Sequence, residues 1–121
     1  MGAQALLSED EPASIDLTKV ASACPPAGIV SRTVLQSPGL RVVLLAFAEG
    51  QELTEHSSSR RALIQVLGGR CEFQLAGKWL SLGAGSLVHL PPDAPHALRA
   101  TADCSVLLTL ASPAKPRAGS E

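Results

Sequence analysis

The stretch Gly85-Ser-Leu-Val-His-Leu-Pro-Pro-Asp-Ala-Pro-His96 decides the fold. Gly85 opens a short run of branched residues over 86–90, and Pro91 and Pro92 end it because neither can donate a backbone hydrogen bond to a sheet ladder. Pro95 presets the backbone for re-entry and aims His96 back toward the sheet. A histidine placed by so rigid a turn suits ligation; the competing reading is a half-buried histidine hydrogen-bonded at the mouth of a barrel.

Working outward, similar short runs recur at 31–36, 40–47, 62–67, 70–76, 78–82, 86–90, 96–100 and 104–111. Between them stand Ser37-Pro38-Gly39, Gly50, Gly68-Gly69, Gly77, Gly83 with Gly85, and the proline-rich 91–95, which reverse the chain and leave no room for a long helix. Around Gly77 the alternation predicts a hairpin with Phe73, Leu75 and Trp79 on its apolar side and Glu72, Gln74 and Lys78 on its polar side or at the reversal. Hairpins of this kind must close or stack to hide their edges, so the expected class is all-β: a sandwich, jelly roll or small barrel of antiparallel strands. Its core is expected to contain Val43, Leu45, Ile64, Val66, Leu87 or Val88, and Leu107. Residues 1–29 read as an arm, 30–111 as the barrel domain and 112–121 as a flexible tail.

The chain has 121 residues, enough for one domain and too few for two. With 45% hydrophobic and 17% charged residues it is too apolar for a disordered chain. Ten basic and eleven acidic residues leave a formal net charge of -1, and no Lys and Arg cluster could neutralise a row of phosphates, so nucleic acid is not an expected partner. Trp79, Phe47 and Phe73 are the only aromatic residues of the Phe, Trp and Tyr class, which disfavours base stacking. The apolar runs 42–48 and 106–111 fall far short of the roughly 20 residues a spanning helix needs, and the N-terminus lacks a basic segment. A cytoplasmic protein without membrane contact is expected. Cys24, Cys71 and Cys104 show no CxxC spacing and read as buried, reduced thiols.

A second stretch, Gly50-Gln-Glu-Leu-Thr-Glu-His56-Ser-Ser-Ser-Arg-Arg-Ala62-Leu-Ile-Gln-Val-Leu-Gly-Gly69, joins the first in resembling the paired motifs of the RmlC-like cupin superfamily, as found in small single-domain bacterial cupins of the conserved-barrel type. In that family the first motif reads G, five residues, HxH, three or four residues, E, six residues, G. The second reads G, five residues, PxG, two residues, H. The resemblance implies an antiparallel double-stranded β-helix, the cupin jelly-roll barrel, with one divalent transition metal (Zn, Fe, Mn or Ni) near the barrel mouth. It makes His56 and His96 the expected metal ligands. The second histidine of the first motif is here Ser58, however, and its glutamate is Ala62. A catalytic zinc site normally keeps three protein ligands, and a facial iron triad needs two histidines and a carboxylate. Binding through two histidines is therefore expected to be weak, or absent altogether.

Other donors offer little. Glu55 should face away from His56 in an extended strand, Glu52 lies near the turn after Gly50, and neither Cys71 nor Gln65 occupies a family ligand position. His89 has a face that parity leaves open, with a surface position favoured. No GxSxG, P-loop or dinucleotide fingerprint is present. Ser58, Arg60, Ala62 and Ile64 are the expected pocket residues; Arg60 with Arg61 points to a cationic mouth that favours a small anionic ligand, against the competing and favoured reading of a solvated loop. Two functions compete: a metal-dependent enzyme, and a metal-free cupin that binds a small molecule, senses or docks. Because the runs 31–36 and 40–47 are apolar on both faces, a homodimer with the arm crossing over is expected.

Overall fold

The computed structural model describes residues 4–20 and 27–112. Branched residues alternating between turns form nine strands there: β1 (Ile29–Ser37), β2 (Leu40–Phe47), β3 (Glu52–His56), β4 (Arg61–Gly68), β5 (Arg70–Leu75), β6 (Lys78–Gly83), β7 (Leu87–Leu90), β8 (His96–Ala100) and β9 (Cys104–Ala111). The single helix among the described residues, α1 (Leu17–Val20), is one turn long, with the Asp16 carboxylate accepting from the Thr18 amide at 3.0 Å. Five strands form one sheet in the order β1-β2-β9-β4-β7, and four form the other in the order β3-β8-β5-β6, all neighbours antiparallel. This is the expected all-β jelly roll.

The sequence reading counted eight runs and omitted β3. Its five residues, ELTEH, hold one aliphatic side chain, and it lies at the edge of its sheet. An edge strand with one residue to bury carries almost no alternation signal, and pairing with β8 supplies its order instead.

The two sheets enclose Phe47, Val66, Cys71, Phe73 and Val106, of which Phe47 is 0% exposed. Burying each large side chain stabilises the fold by about 1.5–3 kcal/mol. Of the expected core, Val43, Ile64, Val66 and Val88 are buried and Leu45 packs against the cluster. Leu107 is a correction. It stands opposite Leu44 and Gln65, so it lies on the outer face and is half-buried there, while its neighbours Val106 and Leu108 point inward. Leu87 likewise faces out, 65% exposed, leaving Val88 to the core. Trp79 is a second correction: the two-residue turn at Ala76 and Gly77 pairs Leu75 with Lys78, which sets Trp79 opposite Gln74 on the outer face. There Arg99 lies 4.1 Å above its ring and bonds Glu72 Oε1 at 3.0 Å.

The arm docks on its own chain. The Leu6 and Leu7 amides donate to the Thr33 and Val34 carbonyls at 3.1 and 2.8 Å, where a bulge in β1 breaks the ladder between Thr33 and Leu35. On the outer face of β2, Leu44 and Ala46 are already buried within one chain. Cys71 and Cys104 are buried, as expected; Cys24 and residues 113–121 lie outside the described residues.

Two backbone positions constrain turns of the barrel, Gly69 between β4 and β5 and Asp93 just before β8. A Cβ on Gly69, at φ +80°, would come within 1.9 Å of the Asp103 carbonyl oxygen and 2.6 Å of Cys104 Cα. Gly69→Ala is expected to destabilise the fold by about 2–4 kcal/mol, because backbone on both sides must part. Asp93 holds φ 69° at the position where the family motif has glycine. Asp93→Gly is expected to stabilise by about 0.5–1 kcal/mol by removing left-handed strain. Denaturant unfolding of the two variants should therefore move the midpoint in opposite directions.

Candidate functional site

β3 and β8 pair so that His56 stands directly opposite His96. The pairing contains one irregularity that matters chemically. Leu53 is opposite Leu98, yet His56, three residues on, is opposite His96, only two residues back. The extra residue in β3 is a bulge, and it shifts the parity of the strand. Without it, Leu53 and Glu55 would share the inner face; with it, Leu53 and His56 do, and both line the barrel interior. Glu55 stays exposed.

The two rings lie 4.2 Å apart between centroids, tilted by 58°, and His96 stacks parallel to Phe73 with centroids at 5.9 Å. Each ring is held by a carbonyl two residues earlier. His56 Nδ1 bonds the Thr54 oxygen at 2.8 Å, and His96 Nδ1 bonds the Ala94 oxygen at 3.0 Å. A carbonyl only accepts, so Nδ1 carries the proton in each ring, and in the neutral imidazole Nε2 is left as an acceptor with its lone pair available. Burial lowers the His96 pKa below the ordinary imidazole value, and the nearby His56 lowers it further, against the opposing pull of the Ala94 carbonyl.

The histidine pair separates two cavities. Toward the core lies a small apolar one of about 50 Å³ among Leu45, Phe47, Leu53, Ile64 and Phe73. Toward the mouth lies one of about 150 Å³, whose polar lining is His56, His96, Ser58 and Arg60. Ala62, Leu90, Leu108 and Leu110 give it apolar walls, and it contains no carboxylate. Ser58, Arg60 and Ala62 thus meet the two histidines at one cavity, while Ile64 lies on the core side. The loop after β3 is tied to the turn before β8 by the Asp93 amide, which donates to the Ser58 carbonyl at 2.7 Å. Ser58 Oγ in turn accepts from the Arg60 amide at 3.1 Å.

The remaining candidates fall away from the cavity. Arg61 is exposed on the outer face and donates to His89 Nε2 at 2.8 Å, so His89 is a surface residue and only Arg60 of the arginine pair faces the mouth. Gln65 is exposed beside Leu87 and Leu107, and Cys71 is in the core. The sequence reading missed Arg41. It stands on the inner face of β2, in step with Val43, Leu45 and Phe47, and its Nε is buried without a hydrogen-bond partner. A charged residue at an inward position of the run LRVVLLAF was the available signal.

Two Nε2 lone pairs fit a weak two-donor site for a divalent ion. They do not fit the four-ligand centre of the motif pattern, because Ser58 and Ala62 supply neither imidazole nor carboxylate. Among the described residues no group of three or more His, Cys, Asp or Glu side chains could hold a metal.

Comparison with known proteins agrees with this architecture. The family model for the cupin domain matches residues 43–110, more than half of the chain. Among curated proteins, none matches. A conserved protein of unknown function from Streptococcus pyogenes superposes with TM-score 0.78 at 24% identity, over 95% of this chain and 100% of its own. A cupin superfamily protein from Desulfitobacterium hafniense gives 0.77 at 18%, over 93% and 100%. A cupin 2 conserved barrel domain protein from Leptotrichia buccalis gives 0.75 at 28%, over 81% of this chain and 47% of its own. With the family model matched over residues 43–110, His56 opposite His96 and the two-sheet barrel in place, this chain belongs to the cupin family.

Proposed function

We propose that this cupin binds a small organic anion in its mouth cavity, with a divalent metal held weakly through Nε2 of His56 and His96. The observation that carries the reading is that both imidazoles are pinned at Nδ1 and stand against one cavity whose lining has a guanidinium and no carboxylate. Nδ1–H bonded to a carbonyl is the arrangement that orients a metal-binding histidine. The positions a protein would ordinarily fill are then left to water and to the bound anion. Ser58 and Ala62 favour a second reading, a cupin that binds its ligand without metal, and metal analysis of untagged protein separates the two: about one equivalent supports the first, none the second.

Two further proposals concern setting. No helix among the described residues is long and apolar enough to cross a membrane, and the buried thiols of Cys71 and Cys104 suit the reducing cytoplasm. Leu63 and Leu87 remain exposed on the outer face of the five-stranded sheet, which supports a homodimer through that face. A monomeric mass at micromolar concentration would count against it.

The metal reading has a gain-of-function test. Ser58→His with Ala62→Glu restores four donors at the family positions and is expected to tighten Zn binding at least about a hundredfold, since outer hydrogen-bond partners alone shift affinity about 10–100-fold. Titration calorimetry showing no gain would remove these positions from the site. Proton linkage offers another measurement. His96 titrates lower in the fold than its unfolded value of 6.5, so below that value the unfolded chain binds more protons. Stability present above 6.5 is therefore lost as the pH falls through the folded value. Urea unfolding of metal-free protein should show this acid loss, and His96→Gln should lessen it.

A further inference from the structure

The mouth cavity has two poles of opposite hydrogen-bonding character. At one, His56 and His96 offer Nε2 as acceptors, because Nδ1 of each is committed as a donor to Thr54 and Ala94. At the other, everything donates. Ser58 Oγ already accepts the Arg60 amide and so has its own proton to give, and the Arg60 guanidinium lines the same space.

Arg41 extends the donor pole. The strand registers set Arg41, Leu110, Ala62 and Leu90 abreast on the inner face of β2, β9, β4 and β7, and the last three line the cavity. Arg41 is therefore one strand spacing, about 4.8 Å, beyond a cavity wall. Its buried Nε has no hydrogen-bond partner, an arrangement that normally has an explanation. The only salt bridge among the described residues joins Arg99 to Glu72, on the outer face, so no carboxylate of the described residues pairs with either Arg41 or Arg60.

We propose that the cavity is a site for a small hydroxycarboxylate, its acid group facing Arg60, Arg41 and Ser58 and its hydroxyl donating to Nε2 of one histidine of the pair. This rests on the reading of the mouth as a ligand site and specifies the ligand's chemistry. A simple carboxylate would leave two acceptor nitrogens facing its tail, and a neutral alcohol would leave the guanidiniums unpaired. An ammonium group in place of the hydroxyl would sit at the histidine pole with no carboxylate in the cavity lining to balance it. The volume of about 150 Å³ sets the size. A cavity of that order holds benzene, which implies a ligand of about six to eight heavy atoms, the scale of a three-carbon hydroxy acid.

The test uses full-length, chelator-treated protein above neutral pH and measures dissociation constants by NMR titration for lactate, propionate and lactamide. Lactate is expected to bind at least about tenfold tighter than propionate, which lacks the hydroxyl, and than lactamide, which lacks the charge. Arg41→Gln and Arg60→Gln should each bring lactate toward lactamide without weakening lactamide, and His56→Gln with His96→Gln should bring lactate to the level of propionate. Equal binding of lactate and propionate would overturn the hydroxyl assignment, and an unchanged Arg41→Gln would overturn the role of Arg41. If Zn shifts the histidine resonances while no acid binds, the hydroxycarboxylate proposal fails and the site reading survives. If neither Zn nor an acid perturbs the cavity, both fail.

Discussion

The pairing of β3 with β8 across a one-residue bulge is the constraint on which the site depends. β3 is short, at an edge, and nearly without apolar side chains, so it has little stability of its own. Its partner places it, and the bulge turns His56 inward beside His96. The Thr54 carbonyl that holds His56 Nδ1 belongs to the bulged segment, so the same irregularity aims the ring and selects its tautomer. The Asp93-to-Ser58 hydrogen bond then joins the loop following β3 to the turn preceding β8. The two motifs of the sequence are thus one structural unit, although their histidines, His56 and His96, are 40 positions apart along the chain.

What the unit presents is two oriented imidazoles in a cavity whose donor set falls short of the family pattern. Conversion of two ligand positions to Ser58 and Ala62 removes a charge and an imidazole from the mouth, and Arg60 adds a positive charge there. The mouth therefore carries a guanidinium and no carboxylate, where the family pattern places a glutamate. The apolar walls from Leu90, Leu108 and Leu110 reduce the local dielectric, which strengthens the few polar contacts available to a ligand.

The outer surface obeys a different logic. The apolar outer face of β2 prompted the expectation of a partner subunit, yet Leu44 and Ala46 are buried within one chain, and the arm bonds to β1 of that chain through Leu6 and Leu7. The case for a second copy now rests on Leu63 and Leu87, which are on β4 and β7 at the other side of the same sheet.

Several features were legible without coordinates. Alternation between glycine and proline turns established antiparallel strands, and rigid prolines marked His96 as a placed residue. The resemblance to the cupin motifs pointed to His56, and Ser58 and Ala62 at its other ligand positions marked the donor set as short. Faces were harder to read. Period-two parity is a local rule, but which parity points inward depends on the partner strand and on any extra residue in the ladder. That is why Trp79 and Leu107 were assigned to the wrong side, why Arg61 and Arg60 could not be told apart, and why Arg41 went unnoticed in an apolar run. The meeting of Arg60 with the two histidines at one cavity, and the placing of Arg41 one strand beyond its wall, exist only after β2, β3, β8 and the loop bearing Arg60 are brought together from two sheets. Sequence fixes the spacing of donors along one strand; closure of the barrel decides which donors from different strands meet.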